Sequence, residues 1–121
     1  MNTLVINAAD DKILFSLITK IESYTTAYIN SRENFDKFMK LLLNFLNKKK
    51  INISKIERIF INLGPGKFTS LRIALSVAKA ISLANKAILI GFKSKDLINK
   101  NYKNLIKFEG NKSLIKPIYS S

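Results

Sequence analysis

Cysteine is absent from this chain. A disulfide framework, a thiolate zinc site and a cysteine nucleophile are therefore excluded. Histidine is absent too, which removes Ser-His-Asp catalysis and the common imidazole metal sites. Acidic residues number only 8: Asp10, Asp11, Glu22, Glu33, Asp36, Glu57, Asp96 and Glu109. Two-metal nucleic-acid cleavage needs several carboxylates converging from strands. Asp10 and Asp11 fall in an expected turn, and Glu22 lies near another. Glu33 and Asp36 sit where a helix should begin and favour its dipole there. Nuclease chemistry is thus disfavoured. No apolar run approaches the roughly 18 residues of a membrane span. Met1-Asn2-Thr3 lacks the basic start and apolar block of a secretion signal. These absences read as a soluble, cytoplasmic protein with no cofactor or metal of its own.

What is present is ample apolar material. The chain has 121 residues, 47% of them hydrophobic, enough for one domain with a real core. The formal net charge is +13, nearly all of it lysine; the arginines are Arg32, Arg58 and Arg72. The lysines are scattered except at Lys48-Lys49-Lys50. Lysine, asparagine and isoleucine are abundant together, as an A+T-rich coding sequence produces. General basic drift explains the charge. A stand-alone RNA-binding domain is the alternative, although no basic-aromatic RNA motif is present.

Along the chain, Thr3 to Ala8, Ile13 to Lys20 and Tyr24 to Asn30 read as three strands joined by short turns, an antiparallel meander. A long helix is expected from about Glu33 to Lys48. Its apolar residues, including Phe38, Leu41 and Phe45, cover an arc of roughly 200°, wider than one core face needs. Ser54 and Glu57 have capping-box spacing for a short turn of helix. Ile59 to Leu63 reads as a buried strand, and a second helix is expected from about Ser70 to Asn85. That helix is apolar nearly all round, with Leu71 and Leu75 among its large residues and Arg72, Lys79 and Lys86 as a narrow charged stripe. Such helices pack on more than one side. Phe38, Leu41, Phe45, Leu71, Arg72 and Leu75 are accordingly the candidate partner surface. Ala87 to Gly91 reads as a further strand, and Ser94 as the cap of a helix over about 95–104. Ile106 to Phe108 and Leu114 to Tyr119 read as short extended pieces. Three antiparallel strands followed by parallel strand–helix units predict an α/β mixed sheet with helices on its faces, the ribonuclease H-like arrangement.

The chain is organised around the connection from Ile59-Phe60-Ile61-Asn62-Leu63 through Gly64-Pro65-Gly66-Lys67 into Phe68-Thr69-Ser70-Leu71-Arg72. It is no phosphate loop, because Gly64 and Gly66 are separated by one residue and Phe68 follows Lys67. The glycines permit a tight strand-to-helix turn. Thr69 or Ser70 is the expected helix cap.

Asn62 to Ile73 resembles the G-R-G-P-G-S-F-T-G-[VL]-R-[IV] signature of the TsaB (YeaZ) family, a partner in bacterial synthesis of N6-threonylcarbamoyladenosine on tRNA. Gly64, Pro65, Gly66, Phe68, Thr69 and Arg72 match; Asn62, Leu63, Lys67 and Ser70 depart. Thr3 to Ala9 is similar to the family's opening I-L-A-I-D-T-[AS]. Arg32-Glu33-Asn34 resembles its R-E-H, Ala87 to Ser94 its P-[LIV]-x-G-[VI]-S-[ST]-L, and Pro117-Ile118-Tyr119 its terminal P-x-Y-L-R.

The resemblance implies one actin- or sugar-kinase-like lobe across residues 1–121, with a short C-terminal tail retained and no room in 96–116 for the family's second lobe. It implies a non-catalytic platform for a TsaD-like catalytic subunit, with a TsaE-like ATPase as a further partner and homodimers formed through the first two helices. Contact with tRNA is left open. Asn7 stands where nucleotide-using relatives of the fold carry a first-strand aspartate, which argues against nucleotide chemistry here. A degenerate homodimeric remnant is the remaining alternative.

Overall fold

The computed structural model describes residues 1–97 together with Tyr102 and Leu105. The expected helix over 95–104 lies largely outside those residues, as do the extended pieces and the tail motif beyond them. Five strands form one mixed sheet. They are β1 (Thr3–Asn7), β2 (Lys12–Ile18), β3 (Ser23–Ile29), β4 (Arg58–Asn62) and β5 (Ile88–Phe92). The helices are α1 (Arg32–Asp36), α2 (Phe38–Lys48) and α3 (Phe68–Asn85). Sheet order is β3-β2-β1-β4-β5. β1 runs antiparallel to β2, and β2 to β3. β4 and β5 run parallel to β1. The expected meander and parallel units are both present.

Period-two alternation decides the two faces. Leu4, Ile6, Phe15, Leu17, Ile59 and Ile61 point to one side, where α2 and α3 pack on them. Val5, Ile18, Phe60, Ile90 and Phe92 point to the other, where Tyr102 and Leu105 cover them. Phe15 anchors the first layer, edge-on to Phe38 at 5.3 Å and tilted against Phe45 at 6.0 Å between ring centroids.

The single helix expected over 33–48 is broken. Ser31 caps α1 by accepting from the Asn34 N–H, and Lys37 leaves helical angles at φ −107, ψ 14. α2 then buries Phe38, Leu42, Phe45 and Leu46. These span an arc of only about 100°, an ordinary core stripe. Met39 and Leu43 flank it and are exposed, while Leu41 is half-buried on the other flank.

In α3, Leu71, Ala74, Leu75, Ala78 and Ile81 face the sheet. Phe38, Phe45, Leu71 and Leu75 are therefore core side chains of this chain, not an exposed partner surface. Their hydrophobicity marked burial. The extra width of the apolar arcs came from neighbours on the flanks.

The connector between α2 and β4 also differs from expectation. Its 3-10 turn (Ile53–Lys55) is capped by Asn52, which accepts from the Ser54 N–H. Glu57 instead accepts from the Asn2 N–H at 3.0 Å, so there is no Ser54–Glu57 capping box. Asn85, at the end of α3, donates to the carbonyls of Ile53 and Ile56 and ties the helix back to this connector.

Truncating a buried aromatic core residue removes its transfer energy and leaves a cavity. Phe45→Ala should lower the unfolding free energy of the isolated chain by about 3–5 kcal/mol. A denaturant titration checks this. A loss below about 0.5 kcal/mol, the range of ordinary surface changes, would return Phe45 to the surface.

Candidate functional site

The conspicuous chemistry lies at the C-terminal ends of β1, β4 and β5, where open α/β sheets commonly bind ligands. Here the sequence puts amides. Asn7 ends β1 and Asn62 ends β4, and both are 2% exposed. Asn62 Nδ2 donates to Asn7 Oδ1 at 3.0 Å and to Ser94 Oγ at 3.1 Å. Asn62 Oδ1 accepts from the Gly64 N–H at 2.8 Å. Asn7 Oδ1 also accepts from the Ala9 N–H, and Asn7 Nδ2 donates to the Tyr102 hydroxyl at 3.0 Å. Burial raises the Tyr102 pKa above its ordinary value, the Asn7 hydrogen bond opposes that rise, and the charge of Asp10 adds to it. The phenol therefore stays neutral at physiological pH.

These amides are spent on one another, on the backbone and on the hydroxyls of Ser94 and Tyr102. A nucleotide-bound Mg²⁺ is held through oxygen ligands, usually including carboxylates. The residues buried at these strand ends offer neither a carboxylate nor an unengaged amide oxygen. Asp10 and Asp11 are exposed in the turn outside them. Among the described residues no group of three or more acidic, histidine or cysteine side chains is placed to hold a metal. Among the described residues, the buried strand-end side chains by themselves do not fit nucleotide–metal chemistry. A cleft of about 770 Å³ lies beside the network, lined by Asn7, Asp10, Asp11, Lys12, Ser94 and Tyr102 among others.

The Gly-Pro-Gly turn packs directly on this network. Gly64 has φ 108, a left-handed value that favours glycine. At Gly66 a β-carbon would lie 2.6 Å from the Ala9 carbonyl oxygen and 2.8 Å from Ala9 Cα. The two backbones touch there, so no side chain fits. Asn30 closes the third side. Its Nδ2 donates to the carbonyl of Asp10 at 2.6 Å, and its Oδ1 accepts from the Ser70 hydroxyl at 3.2 Å.

Neither Thr69 nor Ser70 caps α3. The helix begins at Phe68 with Lys67 at the cap position and no side-chain cap. Ser70 is already inside the first turn, fully buried, and its hydroxyl serves Asn30. Pro65, Phe68, Thr69 and Arg72 are exposed. The Arg72 guanidinium lies over the Phe68 ring, 4.9 Å from its centroid. Along α3 a shallow groove of about 370 Å³ is lined by Phe68, Thr69, Arg72, Ile73, Ser76 and Val77.

The structure thus brings Gly64, Gly66, Asn7 and Asn62 together. It separates the expected partner residues into a buried set and an exposed one of Arg72 with half-buried Leu41. Asn30, Asn62, Ser94 and Tyr102 were missed as site residues. The available signal was an asparagine closing an apolar strand, at Asn62 as at Asn7.

Residues 21–103 match the family described as TsaD, tRNA N6-adenosine threonylcarbamoyltransferase. The chain belongs to that family. Within it the chain is of the TsaB/YeaZ type. It is 24% identical over 95 residues to the tRNA threonylcarbamoyladenosine biosynthesis protein TsaB of Buchnera aphidicola subsp. Schizaphis graminum, across 78% of this chain and 45% of that protein. It is 36% identical over 63 residues to the tRNA N6-adenosine threonylcarbamoyltransferase of Syntrophus aciditrophicus, across 52% of this chain and 19% of that protein. YeaZ from Pseudomonas aeruginosa superposes with a TM-score of 0.74 at 17% identity, across 84% of this chain and 48% of that one. The TsaB-type chain therefore spans about half the length of the TsaB and YeaZ relatives, and its fold is the ribonuclease H-like one expected from the motif.

The contact at position 66 is backbone on backbone, so it does not yield. Gly66→Ala in this TsaB-type chain should cost about 1–3 kcal/mol of stability. A shift of the denaturation midpoint reads it. An unchanged midpoint would show that the turn does not rest on Ala9.

Proposed function

We propose that this chain acts as a non-catalytic platform subunit in the synthesis of N6-threonylcarbamoyladenosine on tRNA, binding a TsaD-like catalytic subunit. Membership of the family supports the pathway. The observation that carries the platform role is the outer side of α2 and α3. Both helices lie on one side of the sheet, so their exposed sides face solvent in the same direction. There Met39 and Leu43 on α2, and Phe68 and Leu83 on α3, are 37% to 85% exposed. Ile73 and Val77 are half-buried beside Arg72 in the α3 groove. Apolar anchors beside an arginine are the usual make-up of a binding surface.

The absence of a catalytic role in this reading rests on the spent amides of Asn7 and Asn62. The chemistry would belong to the partner. The surface is shifted from the one expected from sequence. It keeps both helices and Arg72, and replaces the buried Phe38, Phe45, Leu71 and Leu75 with Ile73, Val77, Met39 and Leu43. Among the described residues no helix is long and apolar enough to cross a membrane.

The test is light scattering on a sizing column, with this chain mixed with the TsaD-like subunit of the same organism. A mixed complex is expected. Ile73→Glu combined with Val77→Glu should weaken it by more than about tenfold while the unfolding midpoint stays near that of the wild type. No complex, or a complex indifferent to both charges, would sink the proposal.

A further inference from the structure

Among the described residues the sheet ends on a strand with no outer neighbour. β3 is the edge beyond β2, and its seven residues, Ser-Tyr-Thr-Thr-Ala-Tyr-Ile, carry neither charge nor proline. Its register with β2 runs unbroken from Lys12↔Ile29 to Ile18↔Ser23, with no bulge. Proteins usually protect an exposed edge with a lysine, a proline, a bulge or a covering element; β3 has no lysine, proline or bulge, and among the described residues no strand pairs with its outer side. At the other edge, Ile90, Gly91 and Phe92 of β5 are buried.

The phase of the ladder shows which backbone groups are open. At the two ends of the hairpin, the Thr19 N–H donates to Glu22 O at 2.8 Å and the Asn30 N–H to Asp11 O at 3.0 Å. Hydrogen-bonded pairs alternate along an antiparallel ladder. Tyr24, Thr26 and Tyr28 therefore bond to β2, while Ser23, Thr25, Ala27 and Ile29 aim their N–H groups outward. Thr25, Ala27 and Ile29 are also exposed, Ile29 to 73%.

We propose that β3 pairs antiparallel with β3 of a second copy of this chain, joining two sheets into one continuous sheet about a two-fold axis at Thr26. The sequence is self-complementary in that register. Thr25 meets Ala27 of the second copy through the outward N–H and C=O groups. Thr26 meets its own counterpart. Tyr24 meets Tyr28 on the helix side, an aromatic cross-strand pair of the kind that stabilises ladders. Isologous pairing of this kind uses the same patch on both copies. Glu22, just before the strand, comes to the same end of the joined ribbon as Arg32 of the second copy, which begins α1. Net charge opposes a second copy, so the choice of β3 as its own partner rests on the self-complementary register and not on charge. The outer face of α2 and α3 stays open, so this pairing does not depend on the platform reading.

Two copies at +13 each repel. Screening by salt should therefore strengthen the association, the reverse of RNA binding. The experiment combines light scattering across a wide range of chain concentration with amide hydrogen exchange. A dimer should appear as concentration rises, and added salt should promote it. In that dimer the Thr25 and Ala27 amides should exchange at least about tenfold more slowly than in the monomer.

Ala27→Pro removes only an outward N–H, which edge strands tolerate. It should abolish the dimer and leave the monomer's unfolding midpoint unchanged. Ala27→Lys should do the same if the proline variant fails to fold. The proposal is overturned by a monomer at every concentration, by unprotected Thr25 and Ala27 amides, or by a dimer that survives both variants. A dimer lost on Ile73→Glu but kept by Ala27→Lys would place the contact on the helices and also overturn it.

Discussion

Ala9 and Gly66 lie so close that a single added carbon would stand 2.6 Å from a carbonyl oxygen. That contact sets the height of the Gly-Pro-Gly turn above the end of β1, and hence where α3 starts. From there the helix descends across the sheet with Leu71, Ala74, Leu75 and Ala78 inward. Small residues at positions 74 and 78 let it sit close to the strands. The close approach is held by hydrogen bonds that converge on it. Asn62 binds the Gly64 N–H, Asn7 binds the Ala9 N–H, and the two amides bind each other. Buried amides satisfied in this way specify one arrangement, because a half-broken network would leave desolvated polar groups.

The same network accounts for the character of the chain. The ends of parallel strands are where this kind of sheet ordinarily places reactive groups. Here those positions hold neutral side chains whose donors and acceptors are used internally. On the reading proposed above, function moves outward, to the exposed helix sides for a catalytic partner and to the edge of β3 for a second copy. The net charge of +13 sets up a long-range repulsion between copies.

Much of the fold was legible because it is local. Short turns between β1, β2 and β3 force antiparallel neighbours. The apolar runs at Ile59 to Leu63 and Ala87 to Gly91, each separated from its predecessor by a helix, force parallel ones. The motif at Gly64 to Thr69 named the turn correctly. What stayed hidden depends on distance in sequence. Asn7 and Asn62 are 55 residues apart, and Asn7 and Tyr102 are 95 apart, so no window along the chain shows them as a unit. The inward side of each helix was also misjudged. A wide apolar arc cannot tell the buried stripe of Phe38, Leu42, Phe45 and Leu46 from exposed Met39 and Leu43 beside it. Ser70 looked like a cap because its partner Asn30 lies far off in sequence.

On the proposed reading the strand-end amides are structural and no nucleotide chemistry takes place on them. The side-chain NH₂ resonances of Asn7 and Asn62 report on this directly. They should be followed by NMR while Mg-ATP is added to the isolated chain. The account predicts slowly exchanging signals that do not move at millimolar nucleotide. Saturable shifts of both amides, or their loss on binding, would contradict it and return the site to ligand chemistry.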